Sequence, residues 1–394
     1  MEREPSPVID REEETMILDG IERFLERDVR PYVAELDAND IYPEEIVVKM
    51  KELGLFGATI GSDYGGLGLP VTTYAKIVEK ISAVWMSVSG IINSHLIMAA
   101  AVERHGTEAQ KQSYLPRFAS GELRGGVALT EPDAGTDLQA IRTHAKRAGN
   151  KGYVVNGNKM WITNSIHGNC VALLAKTDPQ AEPRHTGMSL FIAEKGPGFK
   201  VSRKLEKLGY KGIDTAELIF EDYYVDADRL IGGKEGFGLK QILSGLELGR
   251  INVAARGVGI AQAALDEAVK YSQMRKTFGK PICQHQAIQL KLADMATRTV
   301  AARLLTERAA EAYQRGERAD MEAGMAKLFA SEAAMENALD AMRVHGGYGY
   351  SKEFPVERMF RDAPLLLIGE GTNEIQRIII AGQLAKRGAG TLVG

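Results

Sequence analysis

The feature that most constrains this chain is a double change of periodicity. From about Asp10 to Ser120 apolar residues recur at helical spacing, as Ile17, Leu18, Ile21, Phe24 and Leu25 do, and Ile92, Leu96 and Ala99 after them. The Gly-rich stretch GSDYGGLGLP interrupts this region and reads as a tight loop. Between about Gly121 and Ile231 the helical period gives way to short β-prone runs: GYVVNG, CVALLAK, MSLFIAE and AELIFEDYYV, separated by Gly, Pro, Asn and Asp. From about Phe237 the helical texture returns over 241–273, 286–314, 319–344 and 372–386. There Ile251, Val258 and Leu265 recur at seven-residue spacing and suit a bundle core. The expected class is therefore α+β. It comprises an all-α domain over residues 1–120, a barrel-like or sandwich β domain over 121–235 and a helical bundle over 236–394. A length of 394 residues with 44% hydrophobic residues supplies enough material for two or three cores.

Several function classes are disfavoured. The net charge of -3 and the scattered lysines and arginines give no reason to expect nucleic-acid binding. The acidic start MEREPSPVIDREEET does not read as a secretory signal. No apolar run approaches the roughly 20 residues of a membrane span. Cys170 and Cys283 form no CxxC pair, so neither a disulfide framework nor a cysteine-rich zinc site is expected. No metal site, Walker loop, GxSxG or strand-to-helix GxGxxG is present, and GKEGFG (233–238) reads as a loop. A cytoplasmic protein is expected, or a mitochondrial matrix protein from which a presequence has been removed.

Four segments carry chemistry, each with a bland alternative. ALTEPDAGTD (128–137) offers the hydroxyls of Thr130 and Thr136 beside Gly135, or is an ordinary polar turn. In KMWITNS (159–165), Trp161 and Thr163 share one strand face and suit a planar heterocycle, unless the Trp is simply core. RKTFGKPICQHQ (275–286) brings Arg275 and Thr277 to a helix end, where they suit a pyrophosphate or merely complement the helix dipole. In MRVHGGYGYSKEFPVERMFRD (342–362), Gly346 and Gly347 end a helix, and His345 reads as structural. Near the C-terminus, IGEGTNEIQR (368–377) places Glu370 in apolar surroundings. A buried acid there must be paired, neutralised or used.

Together these segments, in this order and over essentially the whole chain, resemble the acyl-CoA dehydrogenase family. The resemblance implies an N-terminal helical domain, a middle β-barrel and a C-terminal four-helix bundle. It also implies an FAD-dependent α,β-dehydrogenation of an acyl-CoA thioester. Glu370 would remove the α-proton, and the β-hydrogen would pass as hydride to flavin N5. Leu129 and Thr130 would bond the flavin ring, with Trp161 and Thr163 on its other side and Thr136 near pantetheine or flavin. Arg275, Thr277, His285, Gln286, Gly346 and Gly347 match positions that bind the FAD of a neighbouring subunit. Thr372 and Glu374 would lie near the dinucleotide. Glu247 and Arg250, in LELGR, match CoA-binding positions, and Gly369 and Gly371 flank the acyl group. The resemblance further implies a homotetramer, with electron-transferring flavoprotein as acceptor.

The chain departs from the family pattern at three positions. Arg343 stands where Gln, Asp or Glu is usual. Gly382 replaces a CoA-binding Arg found in some members, and Gly369 replaces a Tyr before the base. Gly249 occupies the alternative base position of some relatives, which favours Glu370. The missing ring at Gly369 suggests a pocket for branched, cyclic or aromatic acyl groups, with short or medium straight chains as the alternative. The absence of Arg and Lys from Ile81 to Glu103 disfavours a dicarboxylyl-CoA. An acyl-CoA oxidase, a flavin monooxygenase and a non-catalytic CoA- or flavin-binding assembly factor are the other readings. Retention of Glu370 argues against the last two.

Overall fold

The structure is a computed structural model that describes residues 9–392. Its first part is helical: α1 (Arg11–Phe24), α2 (Val33–Ala38), α3 (Glu44–Glu52), α4 (Val71–His105) and α5 (Glu108–Ala119). Asp10 caps α1 by accepting from Glu13 N–H, and Thr107 with Gln110 forms a capping box at α5. The stretch GSDYGGLGLP forms the turn between α3 and α4, as read.

α4 is the longest apolar element of this part and breaks at Trp85, whose φ -158 and ψ 107 are not helical. By length and composition this helix is apolar enough to cross a membrane, contrary to the reading that no run approaches that length. Its most apolar window is 94% buried inside the protein, so the apolar surface belongs to the core.

The middle part is a seven-stranded curled sheet. Its strands are β1 (Gly125–Ala128), β2 (His144–Arg147), β3 (Gly152–Thr163), β4 (Cys170–Lys176), β5 (Met188–Glu194), β6 (Phe199–Lys204) and β7 (Thr215–Asp226). The strand order is β1-β4-β2-β3-β7-β6, with β5 pairing β4 on its other side. β1 runs parallel to β4, and β3 pairs antiparallel with β7 through shifts at Val155/Gly157 and Lys159/Ile162. The curl encloses a core of its own, including Tyr153, Val155, Ile162, Phe191, Phe220 and Val225. β4 and β5 are buried almost throughout and carry no alternation, which is why their runs were legible. The short strands β1, β2 and β6 left no comparable signal.

The last part contains α6 (Gly238–Met274), the small hairpin β8 (Lys276–Thr277) and β9 (Lys280–Pro281), α7 (Gln286–Gln314), α8 (Asp320–His345), α9 (Val356–Ile368) and α10 (Asn373–Arg387). Ile251 and Val258 are fully buried on α6, and Leu265 packs on the same core. That core is continuous from α1 through α4 into α6 and α8, so the helical regions on either side of the sheet share one apolar interior. α9 was not separated from its surroundings in the sequence reading. Its position follows from ion pairs: Arg361 reaches Asp37 on α2 at 2.7 Å and Glu357 at 2.7 Å. Asp362 accepts from Tyr210 N–H at 2.6 Å, and burial pushes its carboxyl up to about 7.

Candidate active site

Glu370 sits in the turn between α9 and α10. Its φ is +57, and Gly371 follows at φ +91. A non-glycine residue in the left-handed region costs about 1 kcal/mol, so the surrounding contacts must hold this turn in place. The Glu370 side chain is 17% exposed. Asn93 Nδ2, on α4, donates to Glu370 Oε1, and Arg256 on α6 donates to the same oxygen at 3.3 Å. Glu370 Oε2 is buried with no hydrogen-bond partner among the described residues. Burial raises the carboxyl above its ordinary range, and the opposing pulls of Arg256, Asn93, Lys327 and Arg250 do not cancel it.

Gly249 supplies the space for this carboxylate. A Cβ built there would lie 2.2 Å from Glu370 Oε2 and 2.6 Å from Ile97 Cδ1. The two positions are therefore sterically coupled: a side chain at 249 excludes Glu370 from its observed place. Gly369, by contrast, has an ordinary φ of -68, and a Cβ there meets only Leu365, at 3.3 Å and beyond. Neither backbone nor packing demands glycine at 369. Further back, Arg256 Nη1 donates to Tyr210 Oη at 3.2 Å, and Tyr210 is the residue whose N–H meets Asp362. Arg250 is buried, its Nε has no partner among the described residues, and burial lowers its pKa against the pull of Glu247 and Glu370.

The β1–β3 segments meet α4 one residue further along than Asn93. Asn164, just past β3, donates to Ile91 O at 2.7 Å, to Ser94 Oγ at 3.1 Å and to Gly125 O at 3.1 Å. One turn of α4 thus touches Glu370 through Asn93 and the β1–β3 surface through Ser94. At that surface Thr130 O accepts from Met160 N–H at 2.9 Å. Trp161 lies in the β3 irregularity at φ +64 and is 59% exposed, so the core alternative for it fails. Thr163 flanks buried Ile162 on the same side as Trp161. An indole this exposed beside hydroxyl-bearing residues fits a planar ring cofactor. Thr136 is exposed in the preceding loop.

Behind this surface is a buried pair that the sequence reading missed. Lys159, fully buried, donates to Leu129 O and to Glu131, each at 2.9 Å, and burial lowers its pKa to about 8. Glu131 also accepts from Arg142 N–H at 2.6 Å and Thr143 N–H at 2.9 Å. The pair fixes the main chain at Leu129 and Thr130.

A cavity of about 690 Å³ lies at the ends of α6 and α8. Arg275, Thr277, His285, Gly346 and Gly347 all line it, together with Phe278. Thr277 Oγ1 and His285 Nε2 share a hydrogen bond at 3.1 Å. Phe278 is 96% exposed at φ +50. An arginine, hydroxyls and open glycine backbone around a cavity of this size fit the phosphate-bearing part of a dinucleotide. His345 bonds Ala341 O at 2.8 Å and stacks on Tyr271, in keeping with a structural role. Gln286, Thr372 and Glu374 are not among the lining residues: Gln286 is exposed at the start of α7, and Thr372 caps α10. Arg343 is exposed and 3.5 Å from Asp340, while Gly382 faces open space.

Comparison with known proteins accounts for this arrangement. Residues 11–122, 126–223 and 236–385 match the N-terminal, middle and C-terminal domains of acyl-CoA dehydrogenase. An acyl-CoA dehydrogenase of Bacillus subtilis is 42% identical over 95% of this chain and 98% of its own length. Butyryl-CoA dehydrogenase from Megasphaera elsdenii superposes with a TM-score of 0.92 at 38% identity, covering 96% of this chain and 100% of that one. A chain solved in work on the electron transferring flavoprotein of Acidaminococcus fermentans superposes equally well, at 0.92 with 41% identity over 96% of this chain and 99% of that one. The chain belongs to the acyl-CoA dehydrogenase family, a family of FAD-dependent oxidoreductases.

Proposed function

We propose that this enzyme desaturates the α,β-bond of an acyl-CoA thioester, with Glu370 as the base that takes the α-proton. The observation that carries this reading is the state of the carboxylate. One oxygen is held by Asn93 and Arg256, and the other is buried and unpartnered among the described residues. The α-proton of a thioester is too weakly acidic for an ordinary carboxylate. Burial makes Glu370 a stronger base, and the bonds to Oε1 set the direction of Oε2. The main-chain N–H of Glu370 would donate to the thioester oxygen as negative charge develops there. Bound FAD would supply the hydride acceptor that the β-hydrogen requires.

Leu129, Thr130, Trp161 and Thr163 would hold the flavin ring, with Thr136 near it or near pantetheine. Arg275, Thr277, His285, Gln286, Gly346 and Gly347 would meet the FAD of a neighbouring subunit, and Thr372 and Glu374 would lie close to the dinucleotide. Glu247 and Arg250 would hold CoA. Sharing FAD in this way requires at least a dimer, and a homotetramer is the arrangement we favour. The similarity to the Acidaminococcus chain supports electron-transferring flavoprotein as the acceptor. The likeness to bacterial relatives supports a cytoplasmic enzyme.

For the substrate, the unconstrained glycine at 369 supports a pocket widened for branched, cyclic or aromatic acyl groups. The likeness to a butyryl-CoA dehydrogenase favours a second reading, a short straight chain. The test is anaerobic mixing of the FAD-loaded enzyme with butyryl-, octanoyl-, isovaleryl-, cyclohexanecarbonyl- and 3-phenylpropionyl-CoA. Bleaching of the flavin by at least one is expected, and a flavin left oxidised by all of them contradicts the reading. Gly369→Tyr should lower kcat/KM for the bulky members more than for butyryl-CoA; equal losses would remove the wide-pocket assignment. Peroxide formed in air at the turnover rate would favour an oxidase.

A further inference from the structure

We propose that Lys327 is a positioning residue for the base: its ammonium group, carried on α8, clamps the turn that presents Glu370. This inference rests on the reading of Glu370 as the base. Lys327 lies on a buried face of α8 among the fully buried alanines Ala323, Ala326 and Ala330, and is itself fully buried. An ammonium in such surroundings is costly unless each donor finds a partner. Its donors reach Gly371 O at 2.8 Å, Asn373 Oδ1 at 2.8 Å and Leu367 O at 3.3 Å. The three acceptors are the end of α9, the turn itself and the start of α10, so they bracket Glu370 on both sides.

The grip has a second point one turn along α8. Ser331 Oγ lies 3.2 Å from Asn373 Oδ1 and accepts from Asn373 Nδ2 at 3.0 Å. Gln376 adds a weaker contact, donating to Glu370 O at 3.4 Å and Gly371 O at 3.3 Å. The turn needs such support because Glu370 and Gly371 are both left-handed, and the chain does not continue helically from α9 into α10.

A lysine kept only for packing would have no reason to direct its bonds at one turn. Here each hydrogen bond it makes among the described residues ends within three residues of Glu370. The same cation favours the ionised form of Glu370 and so opposes the effect of burial.

The test compares Lys327→Met, Lys327→Ala, Asn373→Ala and Glu370→Gln in the FAD-loaded enzyme. The probe is whichever of butyryl-, isovaleryl- or 3-phenylpropionyl-CoA turns over fastest. Lys327→Met should keep its flavin and a KM close to wild type while kcat falls about 100-fold, the scale of a misplaced reacting group. The acidic limb of its kcat–pH profile should move to higher pH, because a cation near the carboxylate has gone. Added ethylammonium should restore part of kcat to Lys327→Ala. A wild-type kcat and an unmoved limb in Lys327→Met would overturn the proposal. If Lys327→Met does not fold, Asn373→Ala decides. A kcat loss of about tenfold with unchanged flavin content is expected from one lost bond, and no loss overturns the clamp. A fully active Glu370→Gln would sink the base reading itself. An inactive Glu370→Gln beside a fully active Lys327→Met would sink the clamp alone.

Discussion

Glu370 is held by side chains from four helices: Asn93 of α4, Arg256 of α6, Lys327 of α8 through the turn, and Gln376 of α10. The groups around the cavity at the ends of α6 and α8 are supported quite differently. Arg275 and Gly347 stand exposed there, and Phe278 projects almost wholly into solvent. Proton abstraction, the role proposed for Glu370, demands a carboxylate of raised basicity in one orientation, and buried, closely packed surroundings within one chain suit it. A cavity proposed to receive a dinucleotide would need reachable donors, and its open groups suit that role. The two regions should therefore fail in different ways when altered.

The largest effect should come from filling the space beside Glu370. Gly249→Val would place atoms where Glu370 Oε2 lies, and kcat should fall by about 100-fold or more with flavin content unchanged. A kcat near wild type in steady-state assays would show that the carboxylate does not work from its observed position. At the cavity, Arg275→Ala would remove the charge-assisted contact proposed to FAD. FAD should then dissociate about 10- to 100-fold more readily on ultrafiltration, while kcat of the reloaded enzyme changes little. A variant that retains flavin as tightly as wild type would break the contrast.

A smaller effect separates the regions by pH. The folded-state pKa of Glu370 lies above its unfolded value, so ionisation of this group costs stability as pH rises. The cost is absent below the unfolded value and complete above the folded one. Glu370→Gln should therefore melt at a higher temperature than wild type at pH 8, and the difference should vanish at about pH 4. A melting temperature at pH 8 no higher than wild type would contradict the burial argument. Smallest of all, Gly382→Arg faces open space and should change stability by no more than about 0.5 kcal/mol in urea unfolding.

The contrast also explains what the sequence disclosed. The strands β4 and β5 and the bundle helices carry long continuous patterns, so the α, β, α order was legible. Glu370, Trp161 and the RKTFGKPICQHQ segment were legible as compact motifs. The partners of Glu370 were not. Asn93 is 277 residues away in sequence and Arg256 is 114 away, and no local pattern records a contact made only by folding. A weaker signal was present: Asn93, Arg256 and Lys327 each interrupt an apolar or alanine-rich helical run. A polar residue on a buried helical face must have a partner, and here two bond Glu370 directly and one bonds the turn that carries it. The exposure of Trp161 was hidden because the β3 irregularity between Lys159 and Ile162 has no mark in the strand's composition.

The most direct measurement is rapid anaerobic mixing of wild type and Glu370→Gln, both FAD-loaded, with the acyl-CoA that bleaches the wild-type flavin fastest. A general base of this kind contributes about 100- to 10,000-fold, so the variant should bind the thioester yet bleach slower by that factor or more. Bleaching by Glu370→Gln at the wild-type rate would contradict the assignment of Glu370 as the base.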